Sequence, residues 1–142
     1  MVAKKIKTFK TLIRLHEDKL NGLRRKINDL DIERSNLNKS LTELVSQAVI
    51  EANKYTGSEY AFILDTYLKH VENSRKRLLE QIYSLDYRIS QLQLELSVQF
   101  AELKKFEIAQ QNRVNIYQEK ARQAETKFFD ELNVMKINSK SS

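Results

Sequence analysis

The chain has no cysteine, no proline and only two glycines among its 142 residues. Without cysteine there are no disulfides, no cysteine–zinc sites and no thiol catalysis. Without proline and with so little glycine, long helices are favoured over a loop-rich globule, and the 31 % of charged residues points the same way. Two glycines cannot build the G-x-x-x-x-G-K-S/T loop that cradles phosphates. No run of residues approaches the roughly 20 apolar positions of a membrane helix, and no secretory hydrophobic region stands out. A cytoplasmic protein of about one domain is expected.

What the chain does contain is a heptad stripe. Val2, Ile6, Phe9, Ile13, His16, Leu20, Leu23, Ile27, Leu30, Arg34, Leu37, Leu41, Leu44 and Ala48 alternate at steps of four and three. Sustained 3.5-residue spacing keeps a stripe facing a partner helix under left-handed supercoiling. A second stripe runs Leu64, Leu68, Val71, Arg75, Leu78, Ile82, Leu85, Ile89, Leu92 and Leu96. Two successive steps of four, Leu92 to Leu96 to Phe100, read as a stutter. The frame then resumes through Leu103, Glu107, Gln110, Val114, Tyr117, Ala121, Ala124, Phe128 and Met135.

Between the two arms lies Lys54-Tyr-Thr-Gly-Ser-Glu-Tyr60, where Gly57 suits a left-handed backbone. Thr56-Gly-Ser-Glu59 also matches the S/T-x-x-E capping box. The expected fold is all-α, an antiparallel two-helix coiled-coil hairpin with a longer C-terminal helix. Its helices would cover about residues 4–54 and 58–136, with a turn at about 55–58 and a frayed tail at 137–142. A fold-back at residue 56 predicts layers pairing Leu44 with Leu68, Leu30 with Ile82, Leu23 with Ile89 and Leu20 with Leu92. Beyond about residue 111 the second helix then outruns its partner. Such a fold has no thick core, and its stability is spread thinly along one seam.

Charge is uneven. The net charge is +6, but residues 1–26 carry nine lysines and arginines against Glu17 and Asp18, and the remainder of the chain nets −1. This basic start fits a solvated helix face, an acidic protein surface, or anionic lipid. No aromatic platform or nucleic-acid module accompanies it, and no nucleic-acid partner is expected.

No residues are arranged for catalysis, and no cofactor or metal is expected. His16 on the stripe reads as a packed residue, since a metal needs several ligands at fixed spacing. Arg34 and Arg75, charged residues on the stripes, would need carboxylates such as Glu72 or Glu80, or would extend their guanidinium groups to water. Tyr83 and Tyr87 fall on the outer face in a row with Leu79 and Leu94, the kind of grouped apolar surface that anchors interfaces.

Thr11-Leu-Ile-Arg-Leu15, Leu23-Arg-Arg-Lys-Ile27, Thr56-Gly57, Phe100-Ala-Glu-Leu-Lys-Lys-Phe-Glu107 and Glu125-Thr-Lys-Phe-Phe-Asp-Glu131, in this order, make the sequence resemble the bacterial flagellar export protein FliJ family. The resemblance implies a coiled coil similar to the central stalk of rotary ATP synthases, without enzymatic activity, in the flagellar type III export apparatus. Implied partners are a FliI-like export ATPase ring, an FlhA-like export gate protein and export chaperones, at the cytoplasmic face of the inner membrane. Membrane association would come only through the apparatus. The equivalent stalk of a virulence type III secretion system, or a plain tethering coiled coil that dimerises through its open stripe, are the alternatives.

No residue role is carried over from the family. Charge and heptad position instead suggest Lys10, Arg14, Lys19, Val114, Tyr117 and Phe128 as the ATPase-contacting set. They suggest Tyr60, Tyr67, Leu79, Tyr83, Tyr87 and Leu94 as the gate-contacting set.

Overall fold

The structure, a computed structural model, describes residues 2–141. It contains two helices, α1 (Val2–Tyr55) and α2 (Ala61–Ser141), and no strand among the described residues. The chain is thus all-α. The connection is Thr56–Tyr60, so α2 begins three residues later than the spacing predicts and continues to Ser141 through the segment expected to fray.

Gly57 has a φ of 76°, the left-handed region where a Cβ would be strained. The turn around it is closed by the Ser58 N–H donating to the Tyr55 carbonyl at 3.1 Å. The expected capping box is not made. Thr56 instead donates its hydroxyl back to the Ala52 carbonyl, inside α1. Ser58 takes the capping role: its Oγ accepts from the Tyr60 N–H at 3.1 Å, and its carbonyl accepts from the Ala61 N–H at 3.2 Å. The Ser58 hydroxyl also donates to the Tyr55 carbonyl at 2.6 Å, so one short side chain serves the end of α1 and the start of α2.

The chain divides into two compact units, Leu20–Val98 and the residues up to Lys19 together with those from Gln99 onward. Within Leu20–Val98, Leu20, Leu23, Leu30 and Ala48 of α1 are buried, as are Val71, Ile82, Leu85 and Ile89 of α2. Leu30, Leu85 and Ile89 form one cluster, with Ile27, Leu37 and Leu92 packed against it. The expected layer paired Leu30 with Ile82. The cluster lies further along α2, as follows when the connection extends to Tyr60 rather than ending near residue 58.

The α1 stripe is the one its heptads predict. From Ile6 to Ala48 every stripe position is buried or half-buried, including His16 and Arg34. On α2 the stripe differs. Tyr67 and Ser74 are half-buried where Leu68 and Arg75 were expected, and both of those side chains are exposed. The double step of four falls at Ser74, Leu78 and Ile82 rather than at Phe100. Arg75 pairs with Glu72 at 3.1 Å one turn back on its own helix. An arginine turned inward there would have to desolvate its charge, which the small Ser74 avoids.

In the other unit Gln99, Leu103 and Phe106 of α2 are turned inward where the pattern favoured Phe100, Leu103 and Glu107, while Glu107 and Gln110 are half-buried as the pattern expects. His16 explains the change. Its Nδ1 lies 3.0 Å from Gln99 Oε1, so the tautomer with its proton on Nδ1 donates to the amide. The imidazole also stacks on Phe106 with ring centroids 5.1 Å apart, and Phe9 meets the same ring at 6.4 Å. Phe100 faces outward, with Lys104 Nζ 5.3 Å from its ring centroid.

Candidate interaction surfaces

The two expected contact sets fall in different units. Lys10, Arg14, Lys19, Val114, Tyr117 and Phe128 belong to the unit of the two chain ends, and the tyrosine set belongs to Leu20–Val98.

In the first of these, the last half-buried residue of α2 among those described is Val114. From Asn115 to Ser139 every side chain is exposed. This stretch still carries large apolar groups: Ile116, Tyr117, Phe128, Phe129, Met135 and Ile137. Phe128 and Phe129 meet edge to face at 5.9 Å, which is contact along the helix and not with another segment. Arg122 pairs with Glu119 at 2.7 Å on the polar side. Lys10, Arg14 and Lys19 are exposed, and among the described residues none of the basic side chains before Ile27 forms an ion pair. A free cationic face and a bare apolar stripe therefore belong to one unit.

In Leu20–Val98, Tyr83 and Tyr87 are 69 % and 67 % exposed, and Leu94 is 63 % exposed. Steps of four and seven from Tyr83 through Tyr87 to Leu94 put them on one outer face of α2. Leu79 is half-buried at the edge of that row. Tyr60 is exposed, while Tyr67 is half-buried and belongs to the inner stripe rather than to the outer row.

Tyr67 lines a different feature. Together with Glu51, Tyr55, Tyr60, Ile63 and Leu64 it borders an open cleft of about 450 Å³ beside the connection. Tyr55 and Tyr60 meet edge to face at 6.0 Å across the bend. Phe62, next to this cleft in sequence, is 83 % exposed. Heptad reasoning passes over Glu51, Tyr55, Phe62 and Ile63 because it tests only the seam. The signal that could have found them is the run Ala61-Phe-Ile-Leu64, of which the stripe uses one residue.

One ionisable group is displaced by its surroundings. Arg34 donates from Nη1 to Asp86 Oδ1 at 2.8 Å and from Nη2 to Asp31. Those two hydrogen bonds, Asp86 first, hold its pKa above the ordinary arginine value. The half-exposed guanidinium is thus both paired and in contact with water, and its partner across the helices is neither Glu72 nor Glu80.

No family model, no curated protein and no solved structure matches this chain. Among the described residues no helix is long and apolar enough to cross a membrane.

Proposed function

We propose that this chain is a non-enzymatic, antiparallel two-helix coiled coil that serves as a stalk-like component of the flagellar type III protein export apparatus. The FliJ-like order of sequence features supports this reading, and one structural observation carries it. The Asn115–Ile137 stretch of α2 is helical and carries an apolar stripe, and all its side chains are exposed. A free helix gains little from propensity alone, so burial against a partner is the natural source of its order. Each Å² of apolar surface so buried contributes about 25 cal/mol.

In this reading the ATPase-contacting end combines that stretch with the cations Lys10, Arg14 and Lys19. Their field steers the end toward an acidic pore, by an attraction that salt screens. Two helices, each about 10–12 Å wide with side chains, suit the opening of a hexameric ring. The row of Tyr83, Tyr87 and Leu94 serves the export gate, and chaperones loaded with export substrates are handed on between the two.

The test is stimulation of a FliI-like export ATPase by the full chain and by a chain ending at Gln111. The full chain should stimulate hydrolysis, and the shortened one should not, although it melts at an unchanged temperature. Equal stimulation by both would remove the terminal stretch from the ATPase contact and overturn the reading.

A further inference from the structure

The cleft beside the connection has a chemistry of its own. Its walls are three tyrosine rings (Tyr55, Tyr60 and Tyr67) and the aliphatic side chains of Ile63 and Leu64, and its one charged group is Glu51. Aromatic faces carry negative quadrupole density and attract a cation laid over them, most strongly where water is partly excluded. The chain already does this at the same ring: Lys54 Nζ lies 5.2 Å from the centroid of Tyr55.

Glu51 is held for a similar purpose. Gln47 Nε2 donates to its Oε1 at 2.8 Å, which orients the carboxylate and leaves Oε2 as an acceptor. No lysine or arginine pairs with Glu51 among the described residues. The surrounding sequence is acidic, in contrast to the basic chain as a whole. Between Glu43 and Lys69 there are four carboxylates, Glu43, Glu51, Glu59 and Asp65, against two cations, Lys54 and Lys69, the latter paired with Asp65 at 3.3 Å.

We propose that this cleft is a receptor for an arginine side chain presented by a partner peptide. The planar guanidinium can stack on a tyrosine face while donating to Glu51, and its three-carbon stem lies against Ile63 and Leu64. The cleft, about 450 Å³ and open to solvent, has room for the guanidinium and its stem without enclosing them. Exposed Phe62 and Ile63 supply apolar surface for the residues that flank the arginine. An anionic or purely aliphatic ligand would leave Glu51 repelled or unpaired, so the charge decides between occupants. The site extends the reading of the tyrosine-bearing unit as a partner-contact surface, but its chemistry rests on the cleft alone.

The experiment titrates the full chain with an acetylated, amidated Leu-Arg-Leu peptide, and with the same peptide carrying citrulline, the neutral isostere of arginine. Calorimetry gives the affinities, and the Tyr55, Tyr60 and Tyr67 ring resonances give the location. The arginine peptide should shift those resonances and bind about tenfold more tightly than the citrulline peptide. Glu51→Gln should erase that difference, with helicity by circular dichroism unchanged.

Equal affinities for the two peptides would reduce the cleft to an apolar groove and overturn the proposal, as would binding that leaves the three tyrosines unshifted. ATPase stimulation by the Glu51→Gln chain separates the two readings. Stimulation by Glu51→Gln that matches the parent keeps the cleft apart from the stalk; if the parent chain itself stimulates but shows no arginine selectivity, the cleft proposal alone is overturned, whereas lost stimulation by the Gln111-terminated chain bears only on the stalk.

Discussion

Arg34 on α1 reaches Asp86 on α2, Nη1 to Oδ1 at 2.8 Å, and Asp31 on its own helix holds the second nitrogen. A charge on a stripe that is apolar apart from His16 is thereby matched at one position of α2 and at no neighbouring one. Its value is in alignment more than in stability, because a half-exposed pair is screened by water.

Arg34→Met and Asp86→Asn should therefore be coupled. In a double-mutant cycle read by urea denaturation, the coupling should be favourable and should shrink as salt rises. The pH dependence has a definite sign. The folded pKa of Arg34 is raised, so its contribution is complete below the ordinary arginine range and is lost only above it. Between neutral and mildly alkaline pH the coupling should be flat. A coupling that is absent at low salt would assign the pair no role in alignment.

The stripes themselves can be tested by two leucines on one helix. Leu85 is 5 % exposed and belongs to the cluster with Leu30 and Ile89, whereas Leu94 faces solvent. Leu85→Ala should cost about 2–4 kcal/mol, and Leu94→Ala less than about 0.5 kcal/mol. Chemical denaturation of the two variants gives both numbers. Similar losses at both sites would mean that the outer row is buried in solution.

The two glycines should respond with opposite signs. Gly57 holds a positive φ, so Gly57→Ala should destabilise by about 1–2 kcal/mol although nothing crowds the added methyl. Gly22 lies within α1, where nothing beyond its own stretch of helix comes within 4 Å of an added Cβ, and Gly22→Ala should stabilise by about 0.5–1 kcal/mol. Thermal melts of the two variants, compared with the parent, check both directions.

Hydrogen exchange should separate the covered part of α2 from the bare part. Amides from Asn115 to Ile137 belong to residues with exposed side chains and should exchange far faster than those from Val71 to Leu92. Equal protection in the isolated chain would mean that a second copy covers the stretch.

On α1, sequence and structure agree because each stripe residue is either apolar or, like His16 and Arg34, held by a named partner. The pattern fails on α2 where the inward residue is polar or small. Ser74 and Gln99 are invisible to hydrophobic periodicity, and an adjacent, more conspicuous side chain, Arg75 or Phe100, takes their place in the frame. Register was beyond the pattern for a related reason. It depends on the length of the connection and on the Arg34–Asp86 and His16–Gln99 contacts, all of which are set between helices and not within one. The exposed row of Tyr83, Tyr87 and Leu94 was legible because a helix face opposite a seam is fixed by the seam. The cleft was not, because three tyrosines converge there through the turn and not through any repeat.

The placement of the tyrosines has an optical consequence. The chain has no tryptophan, so its six tyrosines are its only strong intrinsic fluorophores. Five of them, from Tyr55 to Tyr87, belong to Leu20–Val98, and Tyr117 alone reports on the other unit. Phenol emission during denaturation therefore follows one unit almost exclusively, while far-ultraviolet dichroism, a signal of the backbone, weighs both. Coincident curves from the two probes would mark a single cooperative transition. Curves that separate would resolve the melting of each unit without any label being attached.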